Sequence, residues 1–90
     1  MYSVKEKTVL DGVYVHWARR LKNSLNGNPR YRIWFCYEKD STLSDFSAVT
    51  DSDAGWMYLL PEAHALEGKK CNVVVHRPRK NLYINKMELV

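Results

Sequence analysis

The 90-residue chain lacks the sequence signatures of the common enzyme and metal-site classes. Its two cysteines, Cys36 and Cys71, lie in separate apolar runs and form no CxxC pair, so we expect buried free thiols rather than a zinc or redox motif. The three histidines have no metal-ligand or catalytic spacing, and there is no GxSxG or Cys–His context. We therefore expect a protein that is not an enzyme and that uses no metal or cofactor.

Long hydrophobic runs are also missing. No apolar stretch approaches the ~20 residues of a membrane-spanning helix, and the first residues contain no signal-peptide hydrophobic segment. We expect a soluble, intracellular protein with no membrane partner. Ninety residues are enough for one domain and too few for two, so residues 1–90 are predicted to fold as a single unit.

Charge is unevenly distributed along the chain. The net charge is +4 and the isoelectric point is about 9.2, which favours an anionic partner. Residues 11–37 and 69–90 are basic, whereas residues 38–62 are acidic. If the two basic blocks meet in space, the molecule has a basic side and an acidic side.

The apolar, aromatic and arginine-bearing residues are densest from Val13 to Tyr37, a stretch that has the form of a β-hairpin. Asn-Gly and Pro29 in the connection (NSLNGNP) are typical of a turn. Val13–Lys22 alternates with period two, which predicts a strand with two faces. One face would carry Val13, Val15, Trp17 and Leu21, and the other Tyr14, His16, Ala18, Arg20 and Lys22.

The second strand of the hairpin, predicted at residues 30–38, also alternates. Its large residues are assigned to the core: Tyr31, Ile33, Phe35 and Tyr37. The outward face would then carry Arg30, Arg32, Trp34 and Cys36.

Three further strands are predicted at Phe46–Thr50, Cys71–His76 and Leu82–Val90. Between the first two of these, residues 51–60 read as a short helix with N-capping residues at its start. Pro61 either ends this helix or begins a second turn through Leu66, with Gly68 as the stop. Residues 1–10 are either a flexible arm or an edge strand.

The predicted order is strand, strand, short strand, helix, strand, strand. This is the order of a small five-stranded OB-like barrel, mainly β, with one short helix between strands 3 and 4. An SH3-like barrel is the alternative, although it would more often place only a short turn of helix before its last strand. Closure into a barrel would also protect the edges of so small a sheet.

Two short segments, GNPRYRI (residues 27–33) and TDSDAGWMY (residues 50–58), resemble a group of small bacteriophage proteins. Those proteins pair an NGNPR-aromatic-R strand with a TxSDA helix start. The chain departs from that pattern between Cys36 and Phe46 and in its long PEAHALEG segment. The resemblance implies a phage or mobile-element origin, a bacterial cytoplasmic location, and action by binding a host machine, including anti-defence inhibition.

The candidate site is the outward face of the hairpin together with two basic connections. OB-folds bind oligonucleotides on the strand 2–3 face and through the loops joining strands 1–2 and 4–5. Aromatic rings stack on bases, and arginines pair with phosphates. The candidate nucleic-acid-binding residues are Tyr14, His16, Arg20, Arg30, Arg32, Trp34, Arg77, Arg79 and Lys80. The competing interpretation is that Tyr14 and Trp34 lie under the N-terminal arm or the helix, that the arginines are solvated strand residues, and that residues 76–81 form a soluble turn.

Two other stretches of the sequence each have more than one interpretation. The acids from Glu38 to Asp53 lack the spacing of a cation site. Asp51 and Asp53 are interpreted as helix caps, and the alternative is an acidic patch that mimics nucleic acid or docks on a basic host protein. The apolar run Trp56–Leu60 would plug the core, or form a protein interface or a homodimer contact.

The sequence thus predicts a non-enzymatic binding module. The leading hypothesis is binding of single-stranded or structured nucleic acid. The main alternative is a protein-binding inhibitor or accessory factor acting on a host complex, and the third is a structural virion component.

Overall fold

Within the described residues, the alternating segments form five strands, and one short helical turn lies between them. The computed structural model describes residues 7–23, 25, 27, 29–50, 63–77 and 79–90. The strands are β1 (Thr8–Leu21), β2 (Arg30–Cys36), β3 (Phe46–Thr50), β4 (Lys70–His76) and β5 (Tyr83–Leu89). A 3-10 turn, Ala63–Leu66, lies between β3 and β4.

The strands close into a barrel in the order β1-β2-β3-β5-β4. All neighbours are antiparallel except β3 and β5, which run parallel. The chain is therefore a small OB-like barrel, as the sequence predicts. The predicted helix at residues 51–60 lies outside the described residues, as does the Trp56–Leu60 run. The predicted continuation through Leu66 corresponds to the 3-10 turn, after which Gly68 adopts a φ of 81°.

β1 is long because it pairs with two strands. Its first part pairs with β4 and its second part with β2. The pairing with β4 shifts between Leu10 and Val13, where Gly12 adopts a φ of 75° and donates its N–H to Asn72 Oδ1 at 2.9 Å. Glycine tolerates this conformation at little cost. Residues 8–10, predicted as part of an arm or a separate edge strand, instead belong to β1.

A second irregularity in β1 overturns the predicted division of its faces. The pairing with β2 shifts between Val15 and Trp17, so that His16 is an extra residue. A bulge of this kind reverses which side chains point inward. Val13 and Val15 are buried as predicted, but Trp17, predicted for the same face, is 39% exposed.

The barrel interior is filled from every strand. The core residues are Val13, Val15, Tyr31, Ile33, Phe35, Ala48, Leu66, Cys71, Val73, Val75, Ile84 and Met87. Tyr31, Ile33 and Phe35 were predicted correctly. Tyr37 was not: β2 ends at Cys36, and Tyr37 is 56% exposed. Its ring packs against Phe46 with centroids 5.5 Å apart.

Both cysteines are buried free thiols, as predicted. Burial raises the pKa of Cys71 to about 12. Burial also raises the pKa of Cys36, and Asp45 and Asp40 add to the effect, although a backbone hydrogen bond from Ser41 opposes it. Reactivity depends on the thiolate, so both groups are protected at neutral pH.

Thr50→Val tests a buried polar contact that joins β2 to β3. The Thr50 side chain is fully buried, and its Oγ1 accepts a hydrogen bond from the Tyr31 N–H at 3.0 Å. Because valine keeps the shape but leaves this N–H without a partner, we expect a loss of about 1–3 kcal/mol in the free energy of unfolding. Urea denaturation measures this loss in the free energy of unfolding. Thr8→Val, at an exposed site, is the matched control, and an equal effect in both variants would contradict the assignment.

The raised pKa of Cys71 predicts that the stability of the protein depends on pH. The thiol ionises near pH 9 when unfolded and near pH 12 when folded, so the unfolded state loses its proton first. Stability should therefore fall between pH 9 and pH 12, by at most about 1.4 kcal/mol per pH unit from this group. Urea denaturation of the wild type and of Cys71→Val across this range isolates the contribution. Parallel stability curves for the two proteins would disprove it.

Candidate nucleic-acid interface

Two tryptophans and two arginines face each other on the outside of the β1–β2 hairpin. The register places Trp17 opposite Trp34 and Arg19 opposite Arg32. Side chains two residues apart on a strand share a face, so the four lie on one outward surface. We call this surface, Trp17, Arg19, Arg32 and Trp34, the hairpin face.

The two indole rings lie flat against each other. Their centroids are 3.8 Å apart and their planes differ by 6°. From Trp17 to Leu21, β1 pairs with β2 alone among the described strands. Trp17 therefore stands at the open edge of the hairpin, which accounts for its exposure, while Trp34 is half-buried.

The arginine pair has no carboxylate partner among the described residues. Like charges directly opposite each other on a sheet repel. Arg32 Nη1 donates to Ser47 Oγ at 3.4 Å, and its Cζ lies 6.0 Å from the centre of the Trp34 ring. Within the described part of the chain, neither Arg19 nor Arg32 forms an ion pair with a carboxylate; the ion pair found there joins Lys86 to Glu88.

Two further predicted residues, Arg20 and Arg30, lie where the hairpin leaves the barrel. Arg20 is opposite Tyr31, and its Cζ lies 5.5 Å from the centre of that ring. Because Tyr31 points into the barrel, Arg20 is at the barrel mouth and not on the outward face where the alternation placed it. Arg20 also donates to Asn23 Oδ1. Arg30 is half-buried, and its Nε has no hydrogen-bond partner among the residues that the structure describes.

The basic β4–β5 turn lies between the end of β3 and the start of β1. Pairing runs around the barrel from Arg32 to Val49, from Val49 to Tyr83, and from Tyr83 to His76, which precedes the turn, while Val75 is opposite Thr8 at the start of β1. Arg77 Nη1 donates to the Lys80 carbonyl oxygen at 2.5 Å within this turn. Arg79 and Lys80 are exposed. The two basic connections therefore lie near opposite ends of β1.

Tyr14 and His16 were also predicted as site residues, but their contacts lie outside the hairpin face. Tyr14 is opposite Cys36, and Lys70 Nζ lies 6.0 Å from its ring centre. His16 Nδ1 is hydrogen-bonded to Ser44 Oγ at 2.5 Å. Both residues line a small open cleft of about 200 Å³ beside the β2–β3 connection, away from the arginine pair.

Trp17 and Arg19 were not predicted as site residues. A strict period of two places both on the face of Val13 and Val15, and the bulge at His16 breaks that period. One signal was present in the sequence: Arg19 interrupts an apolar face, and a charge at such a position indicates a rim or a bulge.

Part of the acidic block lies in the β2–β3 connection. Glu38, Asp40 and Asp45 belong to this connection, which follows the end of β2 at Cys36. No group of three or more metal-ligating side chains is found within the described ranges. Over the same ranges, no helix is long and apolar enough to cross a membrane.

The fold and this surface describe an OB-like barrel with a basic, aromatic outer face. Comparison of the chain with protein-family models, with curated proteins and with solved structures gives no significant match. The function of the protein must therefore be inferred from the residues of this chain alone.

Arg19→Gln tests the repulsion within the hairpin face. Because the substitution removes one of two like charges, we expect it to raise the free energy of unfolding by about 0.2–1 kcal/mol at low salt. At 1 M salt the Debye length falls to about 3 Å, and the gain should largely disappear. Urea denaturation at both salt concentrations measures this. A destabilised variant, or a gain unchanged by salt, would show that the arginines do not repel each other.

Proposed function

We propose that this protein is a non-enzymatic nucleic-acid-binding module whose hairpin face, assisted by the two basic connections, contacts the ligand. The observation that carries the proposal is the Arg19–Arg32 pair, which has no carboxylate partner within the described ranges, beside the stacked Trp17–Trp34 pair. A polyanion would supply the charge that this surface lacks, and its bases would meet the aromatic rings.

The electrostatics favour this kind of ligand over a neutral one. Each arginine that neutralises a phosphate releases condensed counterions, which drives binding at low salt. The β4–β5 turn adds the exposed Arg79 and Lys80. OB-folds bind oligonucleotides on the strand 2–3 face and through the loops joining strands 1–2 and 4–5, and the hairpin face shares β2 with that face.

The second candidate is a protein-binding inhibitor or accessory factor. The observation that favours it is the exposed Tyr37 and Leu43 in the β2–β3 connection, beside Glu38 and Asp40. An aromatic and aliphatic pair with an acidic rim suits a basic protein surface. The resemblance of residues 27–33 and 50–58 to bacteriophage proteins supports a host component as that partner and the bacterial cytoplasm as the location.

Removing both arginines tests nucleic-acid binding. Fluorescence anisotropy with a labelled 12-nucleotide single strand should give an affinity that falls steeply as salt rises. In Arg19→Ala/Arg32→Ala the slope of log affinity against log salt should drop by about 1.4, because two phosphate contacts are lost. Lys39→Ala/Lys69→Ala removes the same charge outside the hairpin face and the two basic connections and should keep most of the slope.

Two results would count against the proposal. No binding by the wild type at low salt would reject nucleic acid as the ligand. Equal losses in the two double variants would show that overall charge, and not the hairpin face, determines the affinity. A host protein captured after nuclease treatment, with capture lost in a Tyr37→Ala/Leu43→Ala variant, would favour the second candidate.

A further inference from the structure

The hairpin face has a geometry that discriminates between nucleic-acid forms, an inference that depends on the proposed function. We infer that the ligand is a single strand, that one unpaired base stacks on the exposed face of Trp17, and that Arg19 and Arg32 hold the adjoining phosphate.

The two tryptophans have different surroundings. Trp34 is half-buried, with Trp17 stacked on it at 3.8 Å and the Arg32 guanidinium 6.0 Å from its ring centre. Trp17 is 39% exposed at the open edge of the hairpin. Trp17 is thus the ring that presents a free face, and Trp34 is a positioning residue that holds it flat.

The spacing of the rings and the charges fits one nucleotide. Trp17 and Arg19 are two residues apart on β1, and so are Trp34 and Arg32 on β2. At roughly 3.3 Å per residue, the arginine row lies about 7 Å from the ring row. This is comparable to the separation of a base from its own phosphate, and the long arginine side chains cover the remaining difference.

A flat ring selects against duplexes. In a double helix the faces of the bases are covered by their neighbours, and only base edges are reachable from the grooves. Exposing a face requires unstacking, which costs a few kcal/mol. Phosphates, in contrast, are available in both forms. The arginines alone would therefore bind single strands and duplexes alike, and the stacking site supplies the preference.

The test compares four ligands of equal length in the anisotropy assay: a DNA single strand, an RNA single strand of the same sequence, the DNA duplex, and an abasic strand that keeps the phosphates. We expect the wild type to bind the single strands at least tenfold more tightly than the duplex or the abasic strand. Comparison of the affinities for the RNA and DNA single strands shows which of the two is preferred.

Trp17→Ala should weaken single-strand binding roughly 5- to 150-fold, which corresponds to one stacked base. The same variant should leave abasic binding nearly unchanged, and Trp17→Phe should recover part of the loss. Tyr37→Ala, which removes an exposed ring at the other end of the barrel, is the matched control and should bind like the wild type. Urea denaturation of each variant verifies that it is folded.

Tryptophan fluorescence gives a second readout. A base stacked on Trp17 should quench its emission during the titration, and the quenching should shrink in Trp17→Phe. Equal affinities for the single strand, the duplex and the abasic strand would overturn this inference while leaving nucleic-acid binding in place. Binding to none of the four ligands would reject the proposed function as well.

Discussion

The barrel depends on one strand that hydrogen-bonds to two partners. β1 pairs with β4 through its first part and with β2 through its second, and without both pairings the sheet would be open at β1. A regular strand of 14 residues would not follow the curvature of so small a barrel. The two irregularities, at Gly12 and at His16, meet this requirement because each lets β1 bend where its partner changes.

The bending of β1 that closes the barrel also creates the candidate site. The bulge that bends β1 at His16 also reverses the direction of the side chains after it, so that Trp17 and Arg19 face outward opposite Trp34 and Arg32. Beyond this point β1 has no second partner among the described strands, and the hairpin extends from the barrel with an open edge. Closure of the fold and presentation of the aromatic pair are therefore two consequences of one extra residue.

Much of the fold could be predicted because the apolar period of two is local. β3 was predicted with its observed bounds, and Tyr31, Ile33 and Phe35 were placed correctly in the core. Predictions failed where the outcome depends on a partner strand: the bulge that moves Trp17 is visible only in the register with β2. Tyr37 fits the alternation, but β2 ends one residue before it.

The two ends of the barrel differ in how their polar groups are satisfied. Near the β2–β3 connection, the Tyr37 N–H donates to Asp45 Oδ2 at 2.9 Å, and His16 Nδ1 is hydrogen-bonded to Ser44 Oγ. Each of these contacts joins parts of the chain and stabilises the fold. On the hairpin face, the arginines oppose each other and find no described carboxylate, and a large indole ring is left in solvent. Folding alone disfavours both features. Their presence together, on the face that the bulge turns outward, is the physical basis for the proposal that nucleic acid binds this surface.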